Sequence, residues 1–405
     1  MKKLLIAGGK FSDIPTIKSA QKLGYHVITS GNNPSDLGHL HADEVALEDY
    51  ADKEAMLKLA KSLDIDLLIP SCDDVSALTC AYIAQHLAVG HFDSFATAEI
   101  LHHKDRYREF AKQHQIDTPF ALGFEDLQSA SAGIKAHFKD QKIIIKPVDN
   151  AAGKGISTLE PHANDEQIKD VVQKAFEASL AKRIVVEEFI TGSKHGFSTI
   201  LKDQKVIFYF YDNEQYHYNP YAVSGTTTSS FFTPQMIQKL IKDIEKIACL
   251  LHLADGIFHT QTIIKPLGNG KFQPIIIEAC RRGGGDLYMQ FVSIACNLDY
   301  ARLVIEAISG APITPLKPNH RKFFARQCVM SKQTGILEAI VFENAIQENL
   351  IDSLMWHKKG DEIADTRLYK AGIVFLEFAS QQEMQEKINH LDKYIAFRFT
   401  NGGGA

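Results

Sequence analysis

The chain has 405 residues, a net charge of −5, 45% hydrophobic and 23% charged residues. This is the make-up of an ordinary globular protein of two to four domains with ample core. The charge argues against a nucleic-acid backbone as main partner, and no apolar run approaches membrane-spanning length. The six cysteines (Cys72, Cys80, Cys249, Cys280, Cys296 and Cys328) form no C-x-x-C pair and fit no zinc spacing, so they are expected to be reduced and mostly buried. The apolar run at the start ends at Gly8, too short for a signal-peptide core, and a cytoplasmic location is expected.

Residues 4–7 read as a buried strand ending at Gly8-Gly9, followed by a helix from about Ser12 to Leu23 with Gly24 beyond its end. Val27–Thr29 reads as a strand, residues 53–63 as a helix, Asp66–Pro70 as a strand, with another helix after Asp73. This alternation predicts a parallel, Rossmann-like sheet, although Gly8-Gly9 lacks dinucleotide-fingerprint spacing and reads as a tight strand-to-helix turn. A helix opens at His102-His103-Lys104-Asp105-Arg106 and runs to about His114. Lys104 in its first turn is either solvated or close to an anion at the helix N-terminus.

The stretch 143–156 is a short β-branched strand, Ile143 to Ile145, then Lys146, Pro147 and a small-residue loop, Ala151-Ala152-Gly153-Lys154-Gly155. Glycines at 153 and 155 permit positive φ and close backbone approach, and two lysines favour a polyphosphate guest. The spacing is neither Walker A nor G-x-G-x-x-G, and a plain hairpin loop with exposed lysines is the alternative. Ile184–Ile190 reads as a strand carrying Glu187 and Glu188, which face opposite ways. Gly192 breaks it before Lys194 and His195. The tyrosine-rich segment 207–232 suits either small-ligand recognition or a partly exposed strand pair.

A helix from about Pro234 to Leu253 leads to a strand starting at Gly256, a turn at Gly268-Asn269-Gly270 and a returning strand, Pro274 to Glu278. The hairpin sets Gln261 and Glu278 on adjacent strands, with Arg282 at the mouth. An acid after three isoleucines is costly unless paired or metal-bound, and Arg281, Arg282 and three glycines beside it read as an anion site. After Pro312, Pro315 and Pro318, residues 321–400 alternate short strands (Phe323–Met330, Gly372–Phe378) with a helix near Gln381–His390, a small α+β domain. Asn401–Ala405 reads as a flexible tail.

In their order and spacing these pieces resemble the ATP-grasp superfamily of ATP-dependent carboxylate–amine ligases over nearly the whole chain, most of all the L-amino acid ligases. The resemblance implies an α/β and α+β fold: a Rossmann-like N-terminal domain (1–100), an ATP-grasp domain (101–318) with a lid at about 120–190, and a small C-terminal α+β domain (319–405). It implies ATP and Mg2+ as cofactors. Lys104 and Lys146 would meet phosphates, and Gly153, Lys154 and Gly155 would form the lid loop. Glu187, Glu188, Phe189 and Ile190 would line the adenine, and His195 would approach ribose or phosphates. Glu278 and Gln261 would hold metal, and Arg282 would serve the reaction centre. The chain departs from the family's pattern at Gln261, where an acid is usual, and at Cys280, where asparagine is usual. The implied partners are a small-molecule carboxylate and an amine, and a homodimer is compatible with the sequence. The implied reaction is amide formation through an acyl-phosphate. A non-catalytic ATP-binding sensor and a purine-pathway-type ligase or carboxylase are the alternative functions.

Overall fold

Strand Lys3–Ala7 is buried from Leu4 onward because it lies inside a parallel sheet, between His26–Thr29 and Leu67–Pro70, with Glu44–Val45 at the far edge. In this computed structural model, residues 1–150, 153–313 and 321–400 are described. Ala151 and Ala152 of the loop expected to form a lid, Pro315 and Pro318, and Asn401–Ala405, read from sequence as a tail, lie outside the described residues. The chain divides into two compact units. The first comprises Met1–Tyr211, Phe232–Gln290 and Asp299–Lys317; the second comprises Asp212–Phe231, Phe291–Leu298 and Pro318–Ala405.

Three sheets build the first unit. The parallel one buries Leu5, Ala7, Ile28 and Leu68 against Met56, Leu57 and Ala60 of helix Lys53–Leu63 and Cys80 and Ile83 of helix Asp74–Ala84. Gly8 and Gly9 serve close packing here, since a Cβ on Gly8 would lie 2.4 Å from the Ser71 Cβ and one on Gly9 2.1 Å from the His39 ring. That matches the turn read from sequence. The second sheet is antiparallel, in the order Ala121–Phe124, Ile184–Glu188, Ile143–Pro147, Ser157–Leu159, under helices Leu127–His137 and Asp165–Ala178. The third carries Lys271–Cys280, Gly256–Gly268, Ser193–Lys202 and strand Lys205–Gln215 as far as Tyr211. Helix Pro234–Leu250 and helix Lys104–Gln113 pack on it through Leu240, Ile244, Tyr107 and Phe110. Tyr209 and Tyr211 belong to this apolar layer, stacked on Phe197 and against Phe232, so these two tyrosines are packing residues of a strand pair. A separate helix, Phe95–His102, precedes Lys104 and was not evident from sequence.

In the second unit, Asp212–Gln215 pair with Gly225–Thr228, which continues to Phe324–Val329, Gly372–Glu377 and Leu350–Met355. Helix Gln381–Asn389 covers one face through Met384 and Ile388. A smaller sheet joins Glu362–Ile363, Gly335–Phe342 and Ile395–Phe399. All six cysteines are free thiols, four of them buried. Among the described residues, no helix is long and apolar enough to cross a membrane.

Candidate functional site

Helix Lys104–Gln113 begins without a side-chain cap; the Lys104 N–H instead donates to the Val148 carbonyl at 3.1 Å. That bond seats the helix start beside the end of strand Ile143–Pro147. Residues four apart share a helix face, so Lys104 and Arg108 project together, and both are buried. The Lys104 ammonium pairs with Glu278 Oε1 at 2.9 Å and donates to the Asn150 carbonyl at 3.0 Å. Burial works against its charge, but Glu278 and then Asp74 more than compensate and raise its pKa.

Lys146 points to the same place from its strand end and pairs with Glu187 Oε2 at 2.8 Å. The Glu187 carboxylate is 1% exposed and has Arg108 Nη2 3.0 Å from its other oxygen. Burial pushes this acid upward; Arg108 and Lys146 outweigh it and leave the pKa below the usual carboxylate value. For Lys146 burial wins and its pKa is lowered, with Glu187 opposing and the Arg108 charge adding to the fall. Arg108 also donates to the Ile277 carbonyl at 2.5 Å. Ile277 sits at a β-bulge on an edge strand, since Gln261 faces Glu278 and Thr262 faces Ile276, leaving Ile277 between ladder pairs.

A third group lies at the carboxyl end of strand Leu67–Pro70. Asp74 opens helix Asp74–Ala84 and grips Arg282 through two bonds of 3.0 Å each. It also meets His102 Nδ1 at 2.9 Å. His102 Nε2 accepts from the Arg281 backbone N–H at 3.3 Å, so Nδ1 carries the proton and donates to Asp74. Burial would raise the Asp74 pKa, yet Arg282 and His102 hold it well below the normal range. Arg282 also donates to the Gly283 carbonyl, leaving two of a guanidinium's five N–H donors without a partner among the described residues.

The residues expected from sequence divide. Lys104, Lys146, Glu187 and Glu278 come together, and Gln261 is the cross-strand partner of Glu278. Gly153 and Gly155 have φ of 75° and 70°, as their loop requires, and Lys154 is exposed. Glu188 accepts from the Phe120 N–H at 2.9 Å, and the Phe189 N–H is taken by the Lys142 carbonyl. Ile190 packs with Ile263 and Ile275. His195 is not brought to the cluster: it sits edge-on to Phe232, ring centroids 5.0 Å apart, on the face shared with Phe197. The register Gln261↔Gly196 puts Lys194, by alternation, on the face of Gln261 and Glu278. Arg281 does not join an anion site either. Its side chain binds Asp93 at 2.7 Å and the Ile257 and Ala254 carbonyls, while Gly283 and Gly284 are held by packing on Met289, Cys72 and Tyr288.

Arg108, Asp74, His102 and Lys194 were not singled out from sequence. The i, i+4 spacing from Lys104 and the acidic pair Asp73-Asp74 after a parallel strand were the available signals.

For a metal, one carboxylate and one carboxamide stand opposite each other. No group of three or more His, Cys, Asp or Glu side chains able to hold a cation occurs among the described residues. This donor set fits a hard cation that keeps waters and shares substrate phosphates, as Mg2+ does.

Residues 102–219 match the family model of the phosphoribosylglycinamide synthetase ATP-grasp (A) domain. The chain is similar to the glutathione biosynthesis bifunctional protein of Clostridium perfringens, 31% identical over 108 residues, 27% of this chain and 14% of that protein. It is also similar to the phosphoribosylamine–glycine ligase of Vibrio vulnificus, 27% identical over 166 residues, 40% of this chain and 37% of that protein. The matches thus span less than half the length of these curated relatives. A crystal structure of L-amino acid ligase from Bacillus licheniformis superposes with a TM-score of 0.80 over 99% of both chains at 16% identity, a likeness of fold.

Proposed function

We propose that this member of the ATP-grasp superfamily is an ADP-forming ligase that joins a small carboxylate, an amino acid or similar acid, to an amine. The observation that carries the reading is the convergence of Lys104, Lys146 and Arg108 on two carboxylates at the end of the lid sheet. Such a cluster of buried cations suits a polyphosphate. The matched ATP-grasp domain supports it, as do the amino acids named in two of the relatives.

In this reading Lys104 and Lys146 hold the phosphates of ATP, with Lys104 released from Glu278 when a phosphate replaces that partner. Glu278 and the Gln261 oxygen would hold Mg2+, which when bound offsets charge on the phosphates. The substrate carboxylate attacks the γ-phosphorus, and ADP leaves. The amine nitrogen then attacks the acyl carbon, inorganic phosphate leaves, and the nitrogen loses a proton. Arg282, fixed by Asp74, presents its two remaining N–H donors to the carboxylate and then to the oxyanion of the tetrahedral intermediate. Phosphoryl transfer asks mainly for positioning and charge, which these residues supply without covalent chemistry.

Neutral Gln261 favours a second reading, a nucleotide-binding module without turnover. One assay separates the two: ADP release with Mg2+ and amino acids, dipeptides and small acids, singly and in pairs. Substrate-stimulated release with matching amide product supports the ligase. ADP–Mg2+ binding without release for any pair supports the module, and absence of nucleotide binding overturns both.

A further inference from the structure

We propose that Arg108 is a positioning residue of the nucleotide site: its guanidinium takes up the charge of Glu187, so that the cluster keeps a net positive charge for a phosphate at Lys146. This rests on the ATP reading above. Arg108 is 3% exposed, and its Nε and Nη1 have no hydrogen-bond partner among the described residues. An arginine so placed is a poor packing residue, because buried polar atoms without partners are costly and an apolar side chain of similar volume commonly does as well or better. What the position gains is charge. Lys104, Lys146 and Arg108 face Glu187 and Glu278, three cations against two anions. Without Arg108 each lysine is cancelled by its own carboxylate, and an arriving phosphate meets a neutral cluster.

The scaffold holds the guanidinium to that task. Nη2 is anchored on the Ile277 carbonyl at the bulge, and the same helix face delivers Lys104 one turn earlier. One helix therefore provides a ligand-facing lysine and the counter-charge that keeps a second lysine available.

The test is calorimetric titration of the whole protein with ADP–Mg2+. Arg108→Met should weaken binding about tenfold, the worth of one charge-assisted contact. Adding Glu187→Gln to it removes the anion Arg108 served and should bring affinity back to within about threefold of wild type. Arg108→Lys, which keeps the charge, should bind within a few-fold of wild type. Because losing the Glu187 charge would also restore the stability of a purely structural pair, unfolding midpoints are measured alongside and affinities are compared only in proteins that are folded at the assay temperature; there, a double variant no tighter than Arg108→Met overturns the proposal. So does an Arg108→Met protein that binds like wild type. Should Arg108→Met not fold, Arg108→Lys decides: retained binding supports the role and a tenfold loss overturns it. If wild type itself does not bind ADP–Mg2+, the ATP reading fails first and this inference with it.

Discussion

Glu187→Gln should be among the most destabilising near-isosteric changes in the first unit. It keeps the side-chain shape but leaves two buried cations, Arg108 and Lys146, facing each other without an anion. Breaking a buried ion pair by removing one partner costs roughly 3–5 kcal/mol, and here two partners are stranded. With a urea slope near 3 kcal/mol/M, the unfolding midpoint followed by circular dichroism should fall by about 1 M or more at pH 7.5. The pH dependence adds a second mark. The Glu187 pKa is lowered in the folded state, so its stabilisation is present above the unfolded value of 4.5 and is lost as pH falls through the folded value. The gap between wild type and variant should therefore close in acid, below 4.5. A variant whose midpoint stays within about 0.2 M of wild type at pH 7.5 would refute the view that these three charges form one unit.

Lys146→Ala should leave the fold intact, because Glu187 retains Arg108, while ADP–Mg2+ affinity falls about tenfold or more by calorimetry; unchanged affinity would sink the phosphate assignment. Asp13 is buried and accepts from Ser71 and from the Cys72 and Lys10 N–H groups, yet burial still raises its pKa to about 6. A raised acid stabilises below its unfolded pKa and loses that contribution as pH rises through the folded one. Relative to Asp13→Asn, wild type should thus be roughly 1.4 kcal/mol more stable at pH 5 than at pH 7.5, measured by urea unfolding; an equal difference at both pH values refutes it. Glu278→Gln should lose Mg2+-dependent ADP release almost completely. Gln261→Glu should tighten Mg2+ or raise the rate, unless the two acids crowd and one stays protonated. Normal turnover in Glu278→Gln places the metal elsewhere.

Much of the fold was legible because its strands are short and apolar. Leu4–Ala7, Ile143–Ile145 and Ile184–Val186 are short β-branched or apolar runs bounded by turn residues, the pattern of buried strands, and the helix at Lys53–Leu63 has its Asp52 cap in the sequence. The charge cluster of the candidate site was legible where a charge follows such a run, as at Lys146, Glu187 and Glu278. His195 was misplaced by parity. Sequence shows a polar residue after Gly192, but which of Lys194 and His195 shares the face of Glu278 depends on register with Gly256–Gly268, a long-range property. Arg281 and Arg282 read as a pair, yet adjacent residues diverge, one to Asp93 and the other to Asp74, acids 188 and 208 positions earlier.

The bulge at Ile277 shows how one local irregularity turns Ile276 and Glu278 to opposite faces of their strand. Strand Lys271–Cys280 lies at the edge of its sheet, and the Ile277 carbonyl, at the bulge, accepts from Arg108 Nη2 and fixes its reach toward Glu187. Ile276 and Glu278 flank the bulge. Ile276 is buried in the layer with Tyr107 and Phe110, whereas Glu278 turns a carboxylate to Lys104 and faces Gln261. One extra residue in the strand thus allows an apolar wall and a charged site to follow each other within three positions. Nothing in the run Ile275-Ile276-Ile277-Glu278 signals it, because a bulge is a property of the pairing and not of either strand alone.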